Sequence, residues 1–246
     1  MAVPLVNLAP NLTVSRLCFG TMTFGEQNSM SQSFRLLDQA FDAGINFFDS
    51  AEMYPVPQRS ETQGRSEEYL GHWIRSRKIT RDRIVIATKV AGPSGQMTWI
   101  RDGPKCLDTK NITEAIDARI SLLAYSPLAM GILSGKYFSP EGGPADARLN
   151  LYRGRYLEGE SRYNLTNNII RTATMEYVKV AKKYGLHPVS LAIAFVLRHP
   201  LVASVVFGVT KSWQLLDIVN AVKVELTPEI ISEIDKIHSR FPNPCP

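Results

Sequence analysis

The sequence lacks several features that would assign it to other classes of protein. Its three cysteines, Cys18, Cys106 and Cys245, are an odd number without the spacing of metal ligands, which indicates reduced thiols in an intracellular protein and no metal site. No apolar run approaches the roughly 18 residues of a membrane span, and the first residues lack the charged and apolar segments of a secretion signal. We therefore expect a cytoplasmic protein that enters no membrane, or a plastid protein if a leader has been lost.

The charged residues form no block of one sign. The net charge of +5 comes from 28 basic and 23 acidic residues spread along the chain, so nucleic-acid binding is a weak interpretation. A pocket for an anionic cofactor explains a mild positive excess as well. With 246 residues, 44% of them hydrophobic, the chain can bury a large core, as one large domain or two small ones.

Strands and helices alternate in the first part of the chain. Apolar runs predict strands at Val14–Gly20, Ile45–Asp49 and Ile84–Lys89. Helical spacing predicts helices at about 31–43, where Gly44 supplies the stop, and at about 66–77. The segment that begins at Asn111 is typical of a further capped helix. This alternation predicts a parallel sheet with right-handed crossovers.

The alternation breaks near residues 117–120. The helix that begins at Asn111 has only about eight residues before Ile120–Tyr125 predicts a new strand, and Asp117-Ala118-Arg119 offers no residue that turns the chain. We interpret this junction as an internal truncation. The patterns beyond it predict a turn at 126–136, an irregular loop at 138–164, helices at about 168–183, 189–198 and 213–222, a strand at Ala203–Phe207, and a last helix with Thr227 as cap and Pro228 in its first position.

Asp49, Tyr54 and Lys89 are candidate catalytic residues because each follows or closes a short apolar run. Functional groups gather at the carboxyl ends of parallel strands, since helices cover the faces of the sheet. There Lys89 would favour the phenolate of Tyr54 and lower its pKa, while Asp49 would neutralise and orient Lys89. Such a relay gives a proton to a carbonyl oxygen as the carbon gains a hydride. Singly, each residue has a plainer interpretation as a helix cap or a rim residue.

Six segments carry a resemblance to a known family. They are Gly20–Asn28, Asp49–Pro55, Thr62–Gly64, Thr88–Val90, Ala124–Leu128 and Gly131–Lys136. Together they resemble the aldo-keto reductases, in particular a Tas-like branch. The resemblance implies a single α/β domain over 1–246, a TIM (β/α)8 barrel with about five of its eight strands present. It also implies an NADPH-dependent oxidoreductase that reduces small aldehydes and ketones.

The same resemblance implies that Asp49, Tyr54 and Lys89 are three of four family catalytic residues, with Tyr54 as proton donor. The fourth is a histidine after the family's fourth strand. Strands four to six would fall at the junction near 117–120, so roughly 90 or more residues are missing at about 30 residues per unit. The four histidines of this chain stand in no matching segment, and we expect surface or packing roles for them: His72, His187, His199 and His238.

The cofactor-binding segments are better preserved. The resemblance implies contacts from Gly20, Thr21 and Met22, and from Ser126, Pro127, Leu128 and Gly131, where backbone N–H groups can approach a pyrophosphate. It assigns the grip on an adenosine 2′-phosphate to Gly208, Thr210, Lys211 and Gln214, which favours NADP over NAD. The family's Glu and Asn that hold the adenine are replaced by Asp217 and Ile218. An ordinary strand-to-helix turn is the plainer interpretation of Gly208–Thr210.

Two functions of different class remain open. One is a working carbonyl reductase. The other is a catalytically impaired remnant, a cofactor-binding or regulatory isoform without the histidine. Three absent strands would expose two long sheet edges, which a homo-oligomer could cover. A structural module would leave the strand-end Asp, Tyr and Lys without a role. The tryptophans Trp73 and Trp213 are expected to pack in the protein, while Trp99 is on a loop expected to overhang the barrel mouth.

Overall fold

The strands form two sheets. The computed structural model describes residues 2–89, 122–200, 202–242 and 244–245. Within them, β1 (Leu5–Ala9) and β2 (Leu12–Ser15) form an antiparallel hairpin. The second sheet has the order β5-β4-β3-β7-β6 with every pair parallel, and its strands are β3 Leu17–Gly20, β4 Phe47–Asp49, β5 Val85–Ala87, β6 Leu122–Tyr125 and β7 Val202–Phe207. The prediction of an incomplete α/β fold with about five strands is confirmed.

Eight α-helices lie in the described residues: α1 Met30–Asp42, α2 Arg65–Ser76, α3 Arg148–Leu151, α4 Leu157–Arg162, α5 Asn168–Lys183, α6 Pro188–Leu197, α7 Ser212–Ala221 and α8 Pro228–Arg240. Six match the predicted helices to within two residues. The short helices α3 and α4 lie in the predicted irregular loop, so that prediction is wrong there. The predicted turn at 126–136 contains a 3₁₀ segment, Ala129–Ser134. The helix cap at Asn111, Trp99 and the junction at 117–120 lie outside the described residues.

The prediction of one strand from Val14 to Gly20 is also wrong. Ser15 pairs with Leu5 in the antiparallel hairpin, whereas Leu17 pairs with Val205 in the parallel sheet. The chain therefore changes partner at Arg16, and the Ser15 hydroxyl bridges the break by donating to the Leu17 carbonyl oxygen at 2.6 Å. Apolar periodicity continues through such a break because both segments are buried, so the sequence pattern does not reveal it.

Local sequence explains where the helices begin and end. Ser29 caps α1 in a reciprocal capping box, because its hydroxyl accepts from Gln32 N and the Gln32 side chain accepts from Ser29 N. Gly44 follows α1 with φ of 88°, a conformation that favours glycine. Thr227 caps α8, and Pro228 occupies its first position, both as predicted.

The described residues fall into two compact units. The first comprises those of Met1–Tyr125 and Pro200–Leu215, and the second those of Ser126–His199 and Leu216–Pro246. The parallel sheet lies wholly in the first unit. The predicted single domain over 1–246 stays a prediction.

In the first unit, alternate residues of each strand build two layers of core. Phe19 and Phe48 are register partners whose rings pack together. The Phe48 ring also packs with Trp73 of α2, and their centroids are 5.5 Å apart. On the other face, Cys18 and Phe47 are fully buried and pack with residues of the β1–β2 hairpin. Burial on both faces explains why these strands are continuous apolar runs.

The second unit is helical apart from its loops. Its helices α5, α6 and α8 pack through a buried aliphatic cluster that includes Ala181, Leu191 and Ile234. A second cluster joins the 3₁₀ segment to α5 through Ile132, Tyr137 and Ile170. Among the described helices, none alone has the length and hydropathy of a membrane span; α5 and α6 meet that criterion only as a pair bent by 94°.

Candidate active site

The first unit brings Asp49, Tyr54 and Lys89 together at the carboxyl ends of neighbouring strands. Asp49 is the last residue of β4 and pairs with Ala87, the last residue of β5. Lys89 follows two residues later, and its carbonyl oxygen accepts from Glu52 N at 3.1 Å. That contact draws the turn carrying Tyr54 towards the end of β5. The parallel register therefore places three residues that are distant in sequence side by side.

The ammonium group of Lys89 is held by three short hydrogen bonds. Its Nζ donates to Asp49 Oδ1 at 2.7 Å, to Asp49 Oδ2 at 2.6 Å and to the Ser50 carbonyl oxygen at 2.8 Å. These contacts match the three N–H donors of an ammonium group. The same Nζ lies 5.1 Å from the centroid of the Tyr54 ring. Lys89 thus directs its donors at Asp49 and Ser50 and its charge at the face of the phenol ring.

Burial differs sharply between the two charged residues. The Asp49 side chain is 10% exposed and that of Lys89 is 49% exposed. Burial raises the pKa of Asp49, and the hydrogen bonds and charge of Lys89 oppose that rise. Burial also raises the pKa of the Cys18 thiol well above its usual value, with a further contribution from the charge of Asp49. Cys18 is fully buried and packs in the core beneath Asp49.

The segment Gly20–Met22 supports the site from below. A Cβ on Gly20 would lie 2.9 Å from the Phe207 carbonyl oxygen, so close approach of β3 and β7 requires glycine there. Thr21 is fully buried, and both its N and its hydroxyl donate to the Asp49 carbonyl oxygen, at 2.9 and 3.1 Å. These contacts give Gly20 and Thr21 a structural role in fixing Asp49. The predicted cofactor contact of Gly20, Thr21 and Met22 stays a prediction.

The loop between β7 and α7 is held by its own glutamine. Gln214 Oε1 accepts from Thr210 N at 2.9 Å and from Lys211 N at 3.2 Å. Asn28 donates from Nδ2 to the Thr210 carbonyl oxygen at 3.2 Å and ties the loop to the residue before the α1 cap. The Lys211 side chain is exposed beside the N-terminus of α7. A cation and helix N-terminal amides suit a phosphate group.

The loop Ser126–Gly131 of the second unit has a strained backbone. Ser126, Ala129 and Met130 have positive φ of 54°, 46° and 59°, and Gly131 has φ of 91°. Left-handed non-glycine residues are costly and cluster at functional sites. The predicted cofactor residues Ser126, Pro127, Leu128 and Gly131 therefore lie in an unusual turn.

Lys136 is a candidate anion-binding residue that the sequence analysis did not predict. A Cβ on Gly131 would lie 3.0 Å from Lys136 Nζ, and Nζ stands 5.1 Å from the Tyr137 ring centroid. Burial lowers the pKa of Lys136, and the charge of Arg148 lowers it further. A half-buried cation over a glycine turn suits an anionic group. The segment Gly131–Lys136 is one of the six that resemble the family, but the resemblance assigns no role to Lys136 itself.

The structure agrees with the prediction for the histidines and with only part of the prediction for the tryptophans. His72 faces Glu68 on the surface of α2, His187 precedes α6, His199 follows it, and His238 is in the last turn of α8. All four histidines are exposed, which agrees with the surface roles predicted for them. Trp73 is fully buried, as expected, whereas Trp213 is 61% exposed. The packing role predicted for Trp213 is therefore wrong.

Active sites of α/β-barrel enzymes lie at the carboxyl ends of the parallel strands, and this sheet places an acid, a phenol and an amine there. The sequence pattern of the Aldo/keto reductase family matches residues 16–122 and 117–239. The chain belongs to the aldo/keto reductase family, and this membership supports an oxidoreductase. The two matches meet at 117–122, where the break in alternation predicts a truncation.

Several proteins of similar sequence align with nearly the whole chain. "Protein tas" of Escherichia coli (strain K12) is 29% identical over 346 aligned positions, covering 96% of this chain and 97% of that protein. A "Probable voltage-gated potassium channel subunit beta" of Oryza sativa subsp. japonica is 26% identical, covering 92% and 93%. The "Uncharacterized oxidoreductase YrpG" of Bacillus subtilis (strain 168) is 23% identical, covering 95% and 94%.

The length of the first alignment fits the truncation. It extends over 346 positions, whereas this chain has 246 residues, so about 100 or more positions have no counterpart here. That number agrees with the predicted loss of three strand–helix units, at about 30 residues each.

Proposed function

We propose that the protein is an NADPH-dependent oxidoreductase that reduces the carbonyl group of small aldehydes or ketones to an alcohol. The observation that carries the proposal is the cluster of Asp49, Lys89 and Tyr54 at the carboxyl edge of the sheet, with Lys89 Nζ 5.1 Å from the Tyr54 ring centroid. A phenol beside a cation is suited to give a proton to a carbonyl oxygen, because the positive charge favours the phenolate that remains.

Each residue of the cluster has a separate task. The nicotinamide supplies hydride when it is bound. Tyr54 donates its hydroxyl proton to the substrate oxygen, and the positive charge of Lys89 favours the phenolate that remains. Asp49, buried and held by Thr21, fixes the ammonium of Lys89 through two hydrogen bonds of 2.7 and 2.6 Å.

The choice of NADP over NAD rests on the loop before α7. Thr210 and Lys211 offer a hydroxyl and a charge next to helix N-terminal amides, and Gln214 holds the loop that presents them. Separately, the strained turn Ser126–Gly131 with Lys136 above it is a second candidate for binding phosphate groups.

The test is NADPH oxidation with a reactive aldehyde, comparing wild type with Tyr54→Phe. Loss of the proton donor should lower turnover about 10²–10⁴-fold, the usual contribution of general acid catalysis. Tyr69→Phe on α2 removes a phenol elsewhere in the same unit and serves as the matched control. Equal rates for wild type and Tyr54→Phe would contradict the proposed chemistry.

A second candidate is a catalytically impaired protein that binds the cofactor and acts as a regulatory isoform. Two observations favour it. The Lys89 donors are directed at Asp49 and Ser50, and the sequence has no segment matching the family's histidine strand. Loss of one donor to a developing oxyanion typically costs about 10²–10³-fold in turnover. The relative described as a probable channel subunit is consistent with family members in auxiliary roles. NADPH binding without Tyr54-dependent turnover would support this candidate.

We propose a small carbonyl compound as substrate, no nucleic-acid or membrane partner, and a cytoplasmic site of action. Because β5 and β6 form the two edges of the described sheet, association of two copies through a strand edge is the proposed route to an oligomer.

A further inference from the structure

The segment Thr62–Gly64 is one of the six that resemble the family, and the resemblance assigns it no catalytic role. It lies immediately before α2 and contacts the turn that carries Tyr54. Gln63 donates from Nε2 to the Glu52 carbonyl oxygen at 3.1 Å, and Gly64 N donates to the Tyr54 carbonyl oxygen at 2.9 Å. Two consecutive residues therefore hold two carbonyl groups of the turn.

Gly64 adopts a backbone conformation that favours glycine. Its φ is 82°, in the left-handed region. A Cβ at Gly64 would lie in open space among the described residues, so backbone conformation and not close packing explains the glycine. With this conformation, the Gly64 N–H is directed at the turn.

The turn is also joined to the main chain of Lys89. Glu52 N donates to the Lys89 carbonyl oxygen at 3.1 Å, while the Glu52 carbonyl oxygen accepts from Gln63. Tyr54 N donates to the Ala51 carbonyl oxygen at 3.0 Å and closes the turn. A shift of Glu52 would therefore move the phenol relative to Lys89, whose Nζ is 5.1 Å from the Tyr54 ring centroid.

We propose that Gln63 is a positioning residue that holds Tyr54 at its distance from Lys89 by fixing the Glu52 carbonyl group. This inference rests on the proposed function, in which the phenol gives up its proton beside the ammonium. Gln63 acts through the main chain of the turn and not on the substrate. It is half-buried, and a hydrogen bond shielded from water is electrostatically stronger than an exposed one.

Gln63→Met tests the inference, because methionine has nearly the length of glutamine and no N–H donor. Amide hydrogen exchange, measured without added cofactor, reports on the turn directly. The Glu52 and Tyr54 amide hydrogens should exchange about two- to tenfold faster, the usual effect of losing one hydrogen bond. Gln58→Met is the matched control, since Gln58 donates to a side-chain sulfur of the same loop, at 3.9 Å. It should leave the exchange rates unchanged.

Turnover of NADPH with a reactive aldehyde tests whether Gln63 acts through the proton donor. Gln63→Met should lower kcat about tenfold to 10²-fold and leave the KM for the aldehyde nearly unchanged, because a displacement of about 1 Å can cost that much. In a Tyr54→Phe background, Gln63→Met should lower turnover no further, since its effect depends on the phenol.

Three results would overturn the positioning role and leave the proposed function standing: unchanged exchange, unchanged kcat, or an equal loss of turnover with and without the phenol. Wild-type turnover that does not depend on Tyr54 would instead overturn the proposed function. The positioning role would then fall with it, even if exchange were faster in Gln63→Met.

Discussion

Within the residues that the structure describes, the central strands and the edge strands of the sheet have similar sequences and very different surroundings. Every residue of β3 and β4 is buried, whereas all three residues of β5 are half-buried and Tyr125 at the end of β6 is 72% exposed. Val-Ile-Ala of β5 is no less apolar than Leu-Cys-Phe of β3. The number of neighbouring strands, and not the residue type, therefore decides how far each strand is protected from water.

The same difference runs through the candidate active site. Asp49 ends a central strand and is almost fully buried, while Lys89 follows an edge strand and is half exposed. The buried carboxylate is fixed by the sheet and by Thr21. The ammonium depends on that carboxylate for its position. We therefore regard Asp49 as the anchor of the cluster, because it positions the ammonium of Lys89.

The largest expected effect compares two register partners on a central and an edge strand. Phe48 of β4 pairs with Ile86 of β5. Phe48→Ala should lower the free energy of unfolding by about 3–5 kcal/mol, because it leaves a cavity between Phe19 and Trp73. Ile86→Ala should cost about 1–2 kcal/mol, since a half-buried site loses less contact. Urea unfolding measures both. Equal costs would show that β5 is covered in solution.

A second comparison uses two carboxylates with opposite pKa shifts. Burial raises the pKa of the Asp49 carboxyl from its usual value of 3.8. This group therefore stabilises the folded state at pH values below 3.8, and that stabilisation is lost as pH rises through the folded-state pKa. The free energy of unfolding of Asp49→Asn, relative to that of the wild type, should therefore increase as pH rises. The hydrogen bonds from Arg77 lower the pKa of Asp38, so its contribution is present above 3.8 and is lost as pH falls.

The deficit of Asp38→Asn should therefore be largest near neutral pH and should shrink as pH falls below about 4, the reference range for this side chain. Urea midpoints measured at several pH values test both variants against the wild type. The same sign of pH dependence for the two variants would contradict the assignment of burial to one carboxylate and pairing to the other.

The smallest expected effect lies at the β6 edge. Tyr125→Asp should change the free energy of unfolding by less than about 0.5 kcal/mol, as for other exposed positions. If two copies associate through this edge, the added charge should also lower the oligomer's sedimentation coefficient towards that of one chain. A single-chain sedimentation coefficient for the wild type would argue against the proposed oligomer.

Sequence patterns predicted most elements but not their partners. The helices with capping residues, such as α1 and α8, were predicted closely because caps act within a few residues. The break at Arg16 escaped prediction because the chain changes partner there without changing composition. Short helices α3 and α4 escaped it because four to six residues carry too little periodicity to detect.

The candidate site also has features that the sequence predicted and features that it did not. The sequence alone indicated Asp49, Tyr54 and Lys89 as a proton relay, because each follows or closes an apolar run. The strand predicted to end at Lys89 ends two residues earlier, at Ala87, so that boundary was wrong. The sequence did not indicate that Ser50 contributes its carbonyl oxygen to Lys89, or that Lys136 stands over Gly131. Main-chain acceptors and cation positions depend on the fold of loops, which side-chain patterns do not encode.

By itself, the sequence determined the helix caps, the alternation of strands and helices and the family, because each depends on residues within one short segment or on their order along the chain. Only the tertiary structure decided which strands became edges, which charge was buried and which tryptophan faced water. Those outcomes depend on how many neighbours each residue acquires when distant segments pack, and burial is a property of the assembled sheet.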